Sequence, residues 1–113
     1  MVKMSAIYTG EKHCTAKHEP SQSLIDTDAP KDNQGKGEAF SPTDLIATAL
    51  GTCMLTTMAI KGEPQGINLK NSRLSIEKEM ASNPRRVGSL KTVIEMPTSI
   101  PEDKRKFLED AAL

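Results

Sequence analysis

Residues 40–55 read FSPTDLIATALGTCML, and this stretch decides the fold. Residues 41–44 are typical of a helix start, because Ser41 can cap the first turn and Asp44 completes a capping box with it. Nearly every position from 45 to 60 is apolar or small, which predicts a buried helix that ends near Gly62. Its apolar residues surround the helix axis, so the helix needs cover on every side. One thiol, that of Cys53, lies in its middle.

The flanking sequence predicts strands on both sides of this helix. Before it, residues 2–9, 12–19 and 23–27 are expected strands, and residues 28–40 have the composition of a loop. After it, we expect strands over 67–80 and 87–96, with a bulge near residues 71 and 72, and then a last helix from Glu102. The order β-β-β-α-β-β-α, with the third strand optional, indicates an α+β fold of antiparallel sheets around a central helix.

The composition limits the size of the core and the kinds of partner. Hydrophobic residues make up 36% of the 113 residues and aromatic residues only 3%, a thin supply for one domain spanning residues 1–113. A second subunit would supply the missing cover for the helix. Lys+Arg and Asp+Glu balance at 15 each, so neither nucleic acid nor an anionic membrane is an expected partner. No apolar run suits a signal peptide or approaches the roughly 18 residues of a membrane span, so we expect a cytoplasmic protein.

Few residues carry obvious chemistry. Cys14 and Cys53 are too far apart for a paired-cysteine metal site, and phosphate-loop, zinc-protease and serine-hydrolase motifs are absent. His13 and His18 lie five residues apart on a predicted strand and face opposite sides, so we expect neither a metal nor a cofactor. Spacing alone leaves Cys53 open to two interpretations, a small packing side chain or a reactive thiolate. The second requires a cation or hydrogen-bond donors from another element.

Two runs around the helix carry a family resemblance. The run GEAFSPTDL, residues 37–45, followed by ALGTCM, residues 49–54, resembles the first cysteine motif of the OsmC/Ohr family of osmotically induced and organic hydroperoxide resistance proteins. Residues 27–35 resemble the loop of an OsmC-like subgroup, and the strand order agrees over the whole chain. The resemblance implies an OsmC-like fold in an intertwined homodimer, in which the central helices of two chains pack together and each site is built from both chains.

The resemblance also implies a thiol-dependent peroxidase that protects against oxidative and osmotic stress. Cys53 would be the peroxidatic nucleophile, attacking the O–O bond of an organic hydroperoxide, and a lipoyl-type dithiol would restore the thiol. Asp44 is the candidate orienting acid and His18 the candidate cation. The candidate apolar pocket for the organic part of the substrate consists of Leu50, Met54 and Met58.

The sequence departs from the family pattern in two ways. The activating arginine of the N-terminal strands has no counterpart, since no arginine precedes Arg73, and Thr43 occupies the position of the activating glutamate. Lys12, His13 and Lys17 are further cations that could replace the arginine. The resolving cysteine of the last helix is also missing, which predicts a chain truncated at its C-terminus. The missing arginine favours an alternative function, a dimeric OsmC-fold binding or stress protein without competent peroxidase activity.

Overall fold

The computed structural model describes all residues from 1 to 113. Its elements follow one another in the predicted order and confirm an α+β fold with antiparallel sheets. The strands and helices are β1 (Met4–Gly10), β2 (His13–His18), β3 (Ser23–Asp28), α1 (Pro42–Gly62), β4 (Arg73–Ala81), β5 (Arg86–Glu95) and α2 (Glu102–Ala112). Two compact units divide the chain, residues 1–45 and residues 46–113.

The first unit is a three-stranded antiparallel sheet in the order β1-β2-β3. Its register places Cys14 between Tyr8 and Thr27, and His13 beside Asp28. A tight turn joins β1 to β2 through three consecutive residues with positive φ, which are Gly10 at 97°, Glu11 at 53° and Lys12 at 63°. This turn and the register together bring His13 and Asp28 to the end of the sheet where the following loop begins.

The loop of residues 29–40 closes back on that end of the sheet. The Asp28 backbone N–H donates to the Phe40 carbonyl at 3.1 Å, and the Ala29 N–H donates to the Lys12 carbonyl at 3.0 Å. A short 3-10 turn, Lys31–Asn33, lies within the loop. Gly35 approaches Ala29 so closely that an added Cβ would lie 1.7 Å from the Ala29 carbonyl oxygen, so no larger residue fits there without moving the backbone.

The capping box predicted at the start of α1 is present. The Asp44 N–H donates to the Ser41 Oγ at 3.0 Å, and the Ser41 N–H donates to the Asp44 carboxylate at 2.9 Å. The side chain of each residue therefore accepts a hydrogen bond from the backbone N–H of the other. This reciprocal pattern stabilises a helix N-terminus. Ser41 is only 2% exposed, so its hydroxyl depends on this partner.

Helix α1 buries one face within the second unit, and Gly51 on that face lies against the sheet there. A Cβ on this residue would lie 2.3 Å from Leu74 Cδ2 and 2.6 Å from Ile76 Cδ1, both on β4. The absence of a side chain at this position lets the helix lie directly on the sheet. The core continues beyond it as a cluster drawn from α1, the segment after α1, the segment before α2 and α2 itself, namely Met58, Ile67, Leu69, Ile100 and Leu108.

The predicted strand over residues 67–80 is wrong in its first part. The structure starts β4 at Arg73, and the segment before it is not a strand. Ile67 and Leu69 are each 7% exposed and belong to the core cluster, so their alternation with polar residues reflects burial in an irregular segment. Asn71 has φ of 74° and interrupts any extended run, while the register irregularity of the β4-β5 pair lies between Glu79 and Met80.

The expectation that no stretch approaches the length of a membrane span is also wrong. Residues Pro42–Gln65 form a continuous run of 24 helical residues that is long and apolar enough to cross a bilayer by length and composition. Only 17% of its most apolar window is buried in this single chain. A core helix of a soluble protein passes the same test, so the finding establishes only that α1 has a large apolar surface to cover.

Candidate functional site

Cys53 lies in the fourth turn of α1 and its side chain is exposed. It follows Gly51 by two residues, and at 3.6 residues per turn this places its side chain on the side of the helix opposite the sheet. The contact recorded for its sulfur is with the Thr57 hydroxyl, at 3.9 Å and one turn further along the helix. A hydroxyl at this distance can donate a weak hydrogen bond to a thiolate.

The surface around Cys53 is apolar. Ile46 is 57% exposed, Leu50 is 43% exposed and Ile60 is 63% exposed, and with Cys53 these side chains form the exposed face of α1. Exposed large apolar side chains grouped on one helix face usually mark a surface that another molecule covers. The thiol therefore lies within a surface suited to an apolar substrate or to a second protein chain.

The three residues predicted to line an apolar pocket have different environments. Leu50 is exposed beside Cys53, Met54 is half-buried, and Met58 is 1% exposed at the centre of the core cluster. Met58 packs against other core side chains of this chain, so it stabilises the fold and has almost no surface to offer a substrate. Leu50 and Met54 are the members of the predicted pocket that retain accessible surface.

Asp44 and His18 each have a local partner in the first unit. The Asp44 carboxylate accepts the Ser41 N–H, so it serves the helix N-terminus. His18 Nδ1 lies 2.6 Å from the Ser21 hydroxyl in the turn between β2 and β3. The geometry of each side chain is thus set by its own element, and the roles predicted for them in catalysis stay predictions. Cys14 lies on the same face of β2 as His18 and is half-buried.

Sequence reasoning missed a pair of charged side chains in the first unit. His13 Nδ1 lies 2.7 Å from Asp28 Oδ1, and the second carboxylate oxygen of Asp28 accepts the Glu38 N–H at 2.9 Å. Asp28 is 5% exposed, so its carboxylate depends on these partners. The two residues are fifteen positions apart in sequence, and only the register of β2 and β3 reveals their contact.

The contact between His13 and Asp28 shifts the pKa values of both side chains, raising that of His13 and lowering that of Asp28. The hydrogen bond to Asp28 raises the pKa of His13 above its ordinary value of 6.5, and the nearby Asp26 carboxylate adds to the effect. The hydrogen bond from His13 lowers the pKa of Asp28 below 3.8, with help from the Glu38 N–H. Both shifts favour the ionised form of the pair, a charge-assisted hydrogen bond in which the charge of His13 is matched by Asp28.

The comparisons with known proteins identify the family. Residues 35–113, which are more than half of the chain, match a family model described as OsmC-like protein. A crystal structure from Psychrobacter arcticus 273-4, of a protein provisionally assigned to the osmotic stress induced and detoxification response, is 41% identical with a TM-score of 0.94. The alignment covers 100% of this chain and 82% of that one. The chain belongs to the OsmC-like family.

More distant structures share the fold. An organic hydroperoxide resistance protein OsmC from Legionella pneumophila is 18% identical with a TM-score of 0.72, over 99% of this chain and 81% of that chain. The organic hydroperoxide resistance protein OhrB of Bacillus subtilis is 16% identical with a TM-score of 0.66, over 99% of this chain and 82% of that chain. Among curated protein sequences, none matches the chain.

Proposed function

We propose that this protein is a cytoplasmic, thiol-dependent peroxidase that reduces organic hydroperoxides and has Cys53 as its nucleophile. The observation that carries the proposal is the position of Cys53, exposed on an apolar face of α1 within a chain of the OsmC-like family. A packing cysteine would point toward the sheet, as Gly51 does. The names of two distant structural relatives, both organic hydroperoxide resistance proteins, support the choice of substrate class.

The proposed chemistry begins with the thiolate. The Cys53 sulfur attacks the terminal oxygen of ROOH, the O–O bond breaks, and the alkoxide leaves with a proton as ROH. Cysteine is thereby oxidised to the sulfenic acid and the peroxide is reduced by two electrons. A dithiol of the lipoyl type would then reduce the sulfenic acid, first forming a mixed disulfide with loss of water and then closing its own disulfide to release the Cys53 thiol.

The surroundings of Cys53 suit an organic peroxide. Leu50 and Met54 offer accessible apolar surface next to the sulfur, whereas hydrogen peroxide would gain nothing from them. The exposed face of α1 also supports a homodimer, since a second copy of the chain would cover Ile46 and Ile60 and enclose the thiol in a less polar site. The proposed active site would then be complete only in the dimer.

A second candidate function is favoured by one specific observation. No arginine precedes Arg73, and His13 is held by Asp28. The thiolate consequently lacks the cation expected from the family pattern, and Thr57 is the contact recorded for its sulfur. A dimeric OsmC-fold protein that binds a small apolar ligand, without turning over peroxide, fits this observation.

A coupled peroxidase assay distinguishes the two functions. Wild type, Cys53→Ser and the matched control Cys14→Ser are compared with cumene hydroperoxide as substrate and dihydrolipoamide as reductant. We expect turnover in wild type and in Cys14→Ser, and a fall to the uncatalysed background in Cys53→Ser, because serine cannot replace a thiolate as the nucleophile. Dimedone should label the sulfenic acid on Cys53 after one equivalent of peroxide.

The binding function predicts a different outcome. Wild type would then show no turnover with any dithiol and no dimedone adduct on Cys53, and Cys53→Ser would behave as wild type does. Equal turnover in wild type and in Cys53→Ser would exclude the proposed nucleophile even if the protein were an enzyme.

A further inference from the structure

We propose that His13 and Asp28 form a proton-sensitive latch that holds the loop of residues 29–40 closed, independently of any reaction at Cys53. The latch consists of His13 on β2, Asp28 at the end of β3 and the Glu38 backbone N–H within the loop. All of its contacts lie within the first unit, and its proposed role is to control the conformation of the loop.

Asp28 makes two hydrogen bonds to the C-terminal end of the loop, one through its backbone and one through its side chain. Its backbone N–H donates to the Phe40 carbonyl, and its carboxylate accepts the Glu38 N–H at 2.9 Å. Its neighbour Ala29 makes a second pair of backbone contacts, donating to Lys12 and accepting from Gly37 at 3.3 Å. These hydrogen bonds connect the end of β3 to the end of the loop and to Lys12. Three of them are accepted by backbone carbonyl groups, and the fourth, from the Glu38 N–H, is accepted by the Asp28 carboxylate.

The carboxylate is buried and depends on its cation. Asp28 is 5% exposed, while the His13 side chain retains 32% exposure and can exchange its proton with solvent. An ionised carboxylate in such a site needs a charged partner, and protonated His13 supplies it at 2.7 Å. When His13 loses its proton, Nδ1–H can still donate but the charge is gone, so the latch weakens without vanishing.

Other charged groups face the pair from each neighbouring element. Together with the pair they line a cleft of about 230 Å³. These groups are Asp26 on β3, Glu11 in the β1-β2 turn, and Lys36 and Glu38 in the loop. Lys36 Nζ contacts the Glu11 carboxylate at 2.9 Å, which raises the pKa of Lys36 and lowers that of Glu11. This second tie stays charged across the range in which His13 titrates, so the pH response belongs to His13 and Asp28.

The signs define the pH range of the latch. Because the pKa of His13 is raised above 6.5, its contribution is complete below 6.5 and is lost as the pH rises through the raised value. Because the pKa of Asp28 is lowered below 3.8, its contribution is complete above 3.8 and is lost as the pH falls through the lowered value. The loop is held most firmly between these two limits and loosens on the alkaline side.

Amide hydrogen exchange of the loop, corrected for the intrinsic pH dependence of exchange, tests the latch in the full chain. In wild type we expect protection at Glu38 to fall by roughly three- to tenfold between about pH 6 and pH 9, as one charge-assisted hydrogen bond weakens. His13→Gln should start at the lower protection and show no pH response. The matched control His18→Gln, whose histidine lies on the other face of β2, should keep the wild-type profile.

Lys36→Met separates the latch from the second tie. It should lower protection of the loop at every pH while leaving the pH response in place. A wild-type profile that does not change with pH, or the same change in His13→Gln, overturns the proposal. Should His13→Gln not fold, an NMR titration of His13 in wild type decides the question. A midpoint above 6.5 with a parallel shift of the Glu38 amide supports the latch, and a midpoint at or below 6.5 overturns it.

Discussion

At the scale of single residues, the reactivity of Cys53 depends on what stabilises its thiolate. Its sulfur lies 3.9 Å from the Thr57 hydroxyl, while in the first unit His13 contacts Asp28 and His18 contacts Ser21. A hydroxyl one helical turn away is a modest donor, but it is fixed relative to the sulfur by the helix itself. We therefore propose Thr57 as a positioning residue for the proposed nucleophile.

Replacing Thr57 by valine tests this role. Valine has the same shape but no hydroxyl, so Thr57→Val should slow alkylation of Cys53 by iodoacetamide at neutral pH by roughly three- to tenfold. Thr57→Ser keeps the hydroxyl and should restore most of the rate, and the exposed neighbour Thr56 provides Thr56→Val as a control. Equal alkylation rates in all four proteins would remove Thr57 from the site.

A sequence can point to Cys53 as a candidate but cannot show the contact of His13 with Asp28, for physical reasons. The position of Cys53 follows from local helical geometry and from a motif, both of which a sequence displays directly. The contact of His13 with Asp28 depends on strand register and on a turn with three left-handed residues, which are long-range consequences of folding. The sequence makes His13 a candidate cation for catalysis, and the structure shows it paired with Asp28.

At the scale of the elements, α1 and the β4-β5 hairpin meet at Gly51. Leu74 and Ile76 fill the space that a side chain at this position would need. Glycine inside a helix costs about 1 kcal/mol relative to alanine, so its presence here indicates that close packing outweighs helix propensity. The predicted boundaries of α1 were confirmed because capping and composition mark them locally. The strand expected from residue 67 was wrong because period-two burial also occurs in irregular segments.

The packing at Gly51 predicts an unusual response to alanine. Gly51→Ala should destabilise the protein by about 1 kcal/mol in urea unfolding, because overpacking costs about 1–3 kcal/mol and the gain in helix propensity offsets only part of it. In the double variant with Leu74→Ala, the new methyl group has room, so the two effects should sum to less than their separate values. Thr52→Ala, on the exposed side of the same helix, should not destabilise. Additive effects in the double variant would contradict the contact.

At the scale of the whole molecule, α1 presents more apolar surface than a single chain covers. The buried side of the helix contacts the core of the second unit, while Ile46, Leu50 and Ile60 remain exposed. The thin supply of large apolar residues in the sequence predicted this need for cover, although composition alone could not tell which face would be left open. A second copy of the chain and a bilayer are both physically able to cover it, and the proposed function requires the former.

Sedimentation of Ile60→Glu tests for the dimer. Wild type should sediment as a dimer, and a charge at the C-terminal end of the exposed face of α1 should shift it toward monomer, since burying an unpaired carboxylate is costly. The matched control is Val93→Glu, at a residue that is 58% exposed on β5 and lies on the face of the hairpin turned away from α1. A monomeric wild type, or the same shift in Val93→Glu, would contradict the dimer.

The opposite orientations of Gly51 and Cys53 have a consequence for how this protein tolerates change. The two positions are separated by one residue, yet Gly51 packs against the sheet of its own chain and the Cys53 side chain is exposed. A mutational scan scored for abundance should penalise substitutions at Gly51 and overlook those at Cys53. A scan scored for survival under peroxide should penalise both. Comparing the two scans would therefore separate the residues of this helical turn that are needed for folding from those that are needed for activity.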